Sequence, residues 1–167
     1  MKSRQKGFSL IELLIVVAII LIIAAIAIPN LIRSKMAANE ASAVSTLRTL
    51  TTAEISYQST WGNGFAPALK NLAPANPATC DSAGLVDNLL SSANTFNKSG
   101  YAFTYTPGAA LSTAGPGCTA AGASSFKVNA DPQSRGGTGQ RSFFVDETGT
   151  IRANPAAAAT AADPAIQ

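Results

Sequence analysis

Residues 8–28 read FSLIELLIVVAIILIIAAIAI, and the seven residues ahead of them read MKSRQKG. From Leu13 to Ile28 every residue is apolar, and in the whole stretch only Ser9 and Glu12 interrupt the run. At 1.5 Å rise per residue, a helix over residues 8–28 is about 30 Å long, the thickness of the hydrocarbon core of a bilayer. Lys2, Arg4 and Lys6 precede the run and Pro29 follows it. The positive-inside bias keeps such a cationic leader in the cytoplasm and puts the chain beyond Pro29 on the other side. Hydropathy alone leaves three readings: a secretory signal cleaved after Ala27, with Ala25-Ile26-Ala27 as the A-x-A site; a plain signal anchor; and a buried core helix, disfavoured by so much uninterrupted apolar surface in a chain of 167 residues. Glu12 separates them. A carboxylate within an apolar span costs about 3 kcal/mol on insertion scales and ordinarily has a functional partner. Neither a cleaved signal nor a bare anchor gains anything from it. A cation that meets it inside the membrane, or inside an assembled helical core, would account for it, and a free α-amine made by cutting just before Phe8 is such a cation.

The rest of the composition narrows the function by exclusion. The chain has 12 Lys and Arg against 9 Asp and Glu. Three of those cations lie in the leader, so the remainder is balanced and the pI of 9.1 describes a short leader rather than a basic face. No nucleic-acid contact is expected from charge of that kind. With no His in the chain, the commonest metal ligand and general base is missing, and no Ser/His/Asp arrangement can form. Gly136-Gly137-Thr138-Gly139 lacks the Lys of a phosphate loop. No catalytic residue, cofactor or metal site is expected, and the chain is not read as an enzyme.

Lys6-Gly7-Phe8-Ser9-Leu10-Ile11-Glu12, the apolar run and Pro29 together resemble the start of a type IV pilin or of a type II secretion pseudopilin. The likeness is close over about the first 60 residues. It implies cleavage between Gly7 and Phe8 by a membrane-embedded prepilin peptidase and methylation of the new Phe8 amine, which keeps its positive charge. It also implies that Glu12 is tied to the N-terminal amine of a neighbouring subunit as a filament grows. The implied partners are further copies of the chain, the peptidase, an inner-membrane assembly platform with its ATPase, and membrane lipid before assembly. The implied localisation is the inner membrane for the precursor, then an extracellular or periplasmic filament. Type IV pilus subunit is the leading reading, with pseudopilin as the alternative and a secreted binding domain released after Ala27 as a weaker one. Fold does not settle among motility, adhesion, DNA uptake and secretion.

The expected fold is α+β: one long helix packed against a small antiparallel sheet. Its segments are a leader (1–7), a transmembrane or filament-core helix (8–29), an amphipathic helix half (30–61), a globular head (62–152) and an Ala-rich loose tail (153–167). Pro29 either ends the first helix or kinks it; continuation is expected, because residues 30–61 hold no Gly or Pro. Ala43, Leu47, Leu50, Glu54, Tyr57 and Trp61 fall at helical spacing on one face, the pattern of a helix packing on its own sheet. Glu54 fits that stripe badly, and a rim position or pairing with Arg48 or Lys70 is considered. Arg33, Lys35 and Glu40 read as a solvated surface just outside the membrane. Gly62-Asn63-Gly64 ends the helix, and Leu69 and Leu72 return to it.

In the head, a short helix is expected within residues 82–94. Strands are expected over 101–105, 126–130, 141–145 and 150–152, the last two joined by Asp146-Glu147-Thr148-Gly149 as a hairpin. Residues 107–125 read as a surface loop by composition. With the head outside the cytoplasm, Cys80 and Cys118 are expected to form a disulfide, the alternative being two free thiols. Asp131, Asp146, Glu147 and Asp163 are weighed as calcium ligands, since pseudopilins hold calcium in their last loop, but the Asp- and Gly-dense pattern of that loop is missing here. Asn97-Lys98-Ser99 matches the glycosylation sequon, a short pattern that recurs by chance.

Overall fold

A computed structural model describes residues 8–166. The chain divides into two compact units, the first ending at Lys35 and the second beginning at Met36. Helix α1 runs Leu10–Trp61 and is, by length and composition, long and apolar enough to cross a membrane. Pro29 lies inside α1 and does not end it. The helix stops where the sequence supplies residues free to turn left-handed: Gly62 has φ 59° and its N–H still reaches the Gln58 carbonyl at 3.0 Å.

Within the second unit, α1 buries Ala43, Leu47, Leu50, Ala53, Glu54 and Tyr57, so the expected stripe is the packed face, with Trp61 half-buried at its end. That face meets a five-stranded antiparallel sheet in simple meander order: β1 (Thr95–Lys98), β2 (Tyr101–Pro107), β3 (Phe126–Pro132), β4 (Ser142–Asp146) and β5 (Arg152–Asn154). β2 alternates as read, with Tyr101, Phe103 and Tyr105 buried, and β3 answers with Phe126, Val128 and Ala130. Aromatic contacts knit the core: Phe96 stacks on Phe103 with centroids 4.7 Å apart, and Phe65 meets Phe126 edge-on at 5.0 Å. Such pairs add about 1 kcal/mol each beyond their buried area.

Three expectations need correction. The helix within 82–94 shrinks to the single turn α2 (Asn88–Ser91), capped by Asp87, whose Oδ1 accepts the Leu90 N–H. Residues 83–86 are unavailable to it because their N–H groups are bonded to the carbonyls of Asn71, Leu72 and Ala73. β1 was not foreseen; it is joined to β2 by Ser99-Gly100, both at positive φ (49° and 73°), a two-residue hairpin turn whose twist suits antiparallel strands. The tail is not loose. Arg152, Ala153 and Asn154 form β5, Ala165 bridges to Arg152, Ile166 N–H donates to Ile151 O, and Ala159 is buried against the sheet. Asn129 Nδ2 donates to Ala159 O at 2.8 Å, so this segment covers the outer face at Phe144 and explains why β4 is buried on both sides.

Candidate assembly site

From Phe8 to Ile32 the N-terminal unit is an apolar surface with one charge. Every Leu, Ile, Val and Phe side chain from Phe8 to Ile32 is exposed, none by less than 45%. Between Phe8 and Ile32 the single ionisable side chain is Glu12. Phe8 and Ser9 precede the helix, which starts at Leu10. Ser9 therefore stands at the N-cap and Glu12 at the third helical position, the S-x-x-E spacing of a capping box. Half of that box is formed: the Ser9 N–H donates to Glu12 Oε2 at 2.9 Å. A carboxylate in the first turn also faces the positive end of the helix dipole. Glu12 is thus held at the helix start by local chemistry while remaining at the surface. Gly7, and with it the bond between Gly7 and Phe8, lies outside the described residues, as does the rest of the leader.

In the second unit a set of polar contacts fixes the loops to α1. Glu40, read from sequence as solvated surface, has a side chain only 12% exposed and accepts from the Gln140 N–H (2.9 Å), the Arg141 N–H (3.1 Å) and Arg141 Nε (2.8 Å). Partial burial pushes this carboxyl up, but the two N–H groups and the guanidinium outweigh it and hold it below the usual range. A depressed carboxyl contributes stability that is present above the unfolded value of 4.5 and is lost as pH falls through the folded one. Glu40→Ala should therefore destabilise the head by about 1–2 kcal/mol at pH 7, with the difference shrinking toward pH 3. Chemical denaturation of both proteins at the two pH values checks this.

Asn63, between the two capping glycines, is a hub that sequence reading assigned only to a helix stop. It is buried; Oδ1 accepts the N–H groups of Gly115 (2.8 Å) and Gly122 (3.1 Å), and Nδ2 donates to Ala120 O (3.1 Å) and Tyr57 Oη (3.3 Å). The loop at 107–125 is thereby wrapped onto the end of α1. Gly64 is needed beside it, because a Cβ there would run into the Ala123 carbonyl. The disulfide joins Cys80, fully buried under Tyr57, to Cys118 in the same loop.

The four acidic residues weighed for calcium are not brought together: the described residues hold no cluster of three or more metal-ligating side chains. Asp163 instead accepts from the Thr160 N–H, Thr160 Oγ1 and Asn154 Nδ2, and those contacts hold its carboxyl below the usual range. Asp146 caps its own turn through the Thr148 N–H.

Comparison with known proteins agrees with the first unit's chemistry. Residues 2–28 match the family model of the prokaryotic N-terminal methylation motif. The chain is 46% identical over 76 residues to the type IV major pilin protein PilA of Myxococcus xanthus, covering 41% of this chain and 34% of that one. It is 60% identical over 37 residues to the type IV wide pilus major component PilA4 of Thermus thermophilus, covering 22% of this chain and 28% of that one. It is 80% identical over 30 residues to the type IV major fimbrial protein FimA of Dichelobacter nodosus, covering 18% and 19%. The matched stretches span about a third or less of each relative's length. The chain thus carries the N-terminal methylation motif, is similar over the matched stretches to type IV pilins and fimbrial proteins, and folds as one long helix with a small antiparallel sheet.

Proposed function

We propose that the chain is a structural subunit of a type IV pilus, made as a membrane-anchored precursor and polymerised into an extracellular filament. The observation that carries the reading is the bare apolar helix surface with Glu12 as its single charge. That surface cannot stay in water, so it is covered by lipid before assembly and by other copies of the helix afterwards. Once the helices have left the lipid, close contact among Leu, Ile and Val side chains holds the bundle. A carboxylate inside such a bundle needs a cation. The amine freed by cleavage between Gly7 and Phe8, and kept charged through methylation of Phe8, supplies it from a neighbouring subunit. A prepilin peptidase, an inner-membrane platform and an ATPase are the partners this route requires.

Pro29 has a place in the same scheme. With no N–H, it leaves the carbonyl one turn before it without an intrahelical donor. We take it as the point where α1 yields as subunits pack. The pilus reading is preferred over the pseudopilus because the relatives named above are pilins and fimbrial proteins.

Mass spectrometry of filaments sheared from cells tests the processing. A chain beginning at N-methylated Phe8 is expected. Filaments built from the intact chain, or a chain beginning at Ile28, would overturn the assignment.

A further inference from the structure

Glu54 is a carboxylate that the head buries completely and that the proposed assembly leaves unused. It projects from the inward face of α1. Oε2 accepts the Ala66 N–H at 2.8 Å, and Oε1 has no hydrogen-bond partner among the described residues. The Tyr105 hydroxyl stands beside the carboxyl and donates its own proton to the Ala66 carbonyl. Glu54 and Tyr105 thus grip Ala66 by its N–H and its C=O, one from the helix and one from β2. The titratable groups facing Glu54 are Tyr57 on α1 and Tyr105 on β2, with Asp81 acting on Tyr57 from the loop after Cys80. The segment after α1 presents backbone; its Lys70 is exposed, as is Arg48, and neither pairs with Glu54.

An ionised carboxylate with one oxygen unpartnered in such a place is strongly disfavoured. A neutral acid fits, because its proton has an acceptor. The Tyr105 oxygen, with its own proton already committed to Ala66, still offers lone pairs. We propose that Glu54 is a protonated latch, donating from Oε1 to the Tyr105 hydroxyl while Oε2 holds the Ala66 N–H, and that loss of its proton releases the segment after α1 from the sheet. Burial pushes this carboxyl up to about 7, against the opposing pull of the Ala66 N–H and Tyr105. Burial and the neighbouring Glu54 raise the Tyr105 phenol, so it keeps its proton throughout.

The sign follows from a folded value above the unfolded 4.5. The latch contributes fully below the unfolded value, and its contribution is lost as pH rises through about 7. The gap corresponds to a roughly 300-fold fall in the folding equilibrium constant by pH 9. The chain has no His and both its cysteines are in the disulfide, so no other side chain titrates ordinarily between pH 5 and 8.

The test is urea unfolding of the full chain in detergent micelles, read by near-UV circular dichroism from pH 5 to pH 9, for the native protein and Glu54→Gln. The native protein should lose roughly 80-fold in its folding constant, and the variant should change less than about threefold. Amide exchange at Ala66, corrected for intrinsic base catalysis, should accelerate over the same interval in the native protein alone. A flat native profile, or an equal slope in the variant, overturns the proposal. Infrared spectroscopy of the native protein keeps it falsifiable if the variant does not fold. A carboxylic-acid carbonyl band should be present at pH 5.5 and gone by pH 9, and its absence at pH 5.5 sinks the latch.

Discussion

Cells in which Glu12 is replaced by Ala should insert the protein into the membrane normally and yet yield filaments reduced by two or more orders of magnitude. The insertion half follows from hydropathy: removing the one charge from an apolar span lowers the cost of membrane entry by about 3 kcal/mol. The assembly half follows from what the substitution leaves behind. In the proposed filament each processed Phe8 amine meets a neighbour's Glu12 away from water. Removing the carboxylate leaves that amine buried and unpaired, a penalty of about 3–5 kcal/mol per contact, which is a factor of about 150 or more for every subunit added. Glu12→Gln sharpens the experiment. It keeps an acceptor for the Ser9 N–H that Glu12 Oε2 now takes, so the helix start is preserved while the charge is lost. If capping were the whole role of Glu12, the Gln variant would assemble like the native chain. If charge neutralisation is the role, Ala and Gln variants fail together. Immunoblots of membranes and of sheared surface material measure both halves, and native filament yield from the Gln variant would refute the charge role.

What could be read in the chain, and what could not, divides along the range of the interactions involved. The apolar run, the Ser9–Glu12 spacing and the stripe from Ala43 to Trp61 are local, and one helical period places each of them. Glu54 is a misfit in that stripe, for which the sequence offers only a rim position or opposite charge at Arg48 or Lys70. Its partners are a backbone N–H twelve residues on and a hydroxyl brought in by β2. Neither leaves a mark in the sequence near Glu54. β1 did leave one: Ser99-Gly100 sits between Phe96 and Tyr101, a turn dipeptide between apolar residues. The tail misled through composition. A run of Ala buries little by itself, yet Ala159 packs on the sheet because Asn129, Asn154 and Asp163 hold the turns around it. Asn63 is similar: between two glycines it signals a cap, while its three amide contacts with the loop at 107–125 appear only once the chain has folded back.

The second large effect concerns that loop. Replacing Cys118 by Ser should lower the stability of the head by about 4 kcal/mol, because the cross-link spans 38 positions and closing a loop of that size removes about that much unfolded-state entropy in the chain model. For a unit of this size the midpoint of thermal unfolding should fall by roughly 10–20 °C. The pair of cysteines gives an internal control. If the tether is the cause, Cys118→Ser alone and the double Cys80→Ser, Cys118→Ser variant should be equally destabilised, since either change cuts the same link. If packing is the cause, Cys80→Ser should dominate, because Cys80 is fully buried with its Sγ 3.1 Å from Tyr57 Oη while Cys118 is half-buried in the loop. Calorimetry on the three variants separates the two accounts, and a Cys118→Ser midpoint within about 3 °C of native would remove the tether from the explanation. The remaining contacts say where the damage should be felt. Phe65 and Ala123 still exchange their backbone bonds, and Asp81 still accepts from Thr119, so the loop is loosened rather than freed. Amide exchange should rise most at Gly115 and Gly122, whose N–H groups depend on Asn63 staying in place. A head that needs this link to reach full stability completes its folding only where thiols are oxidised.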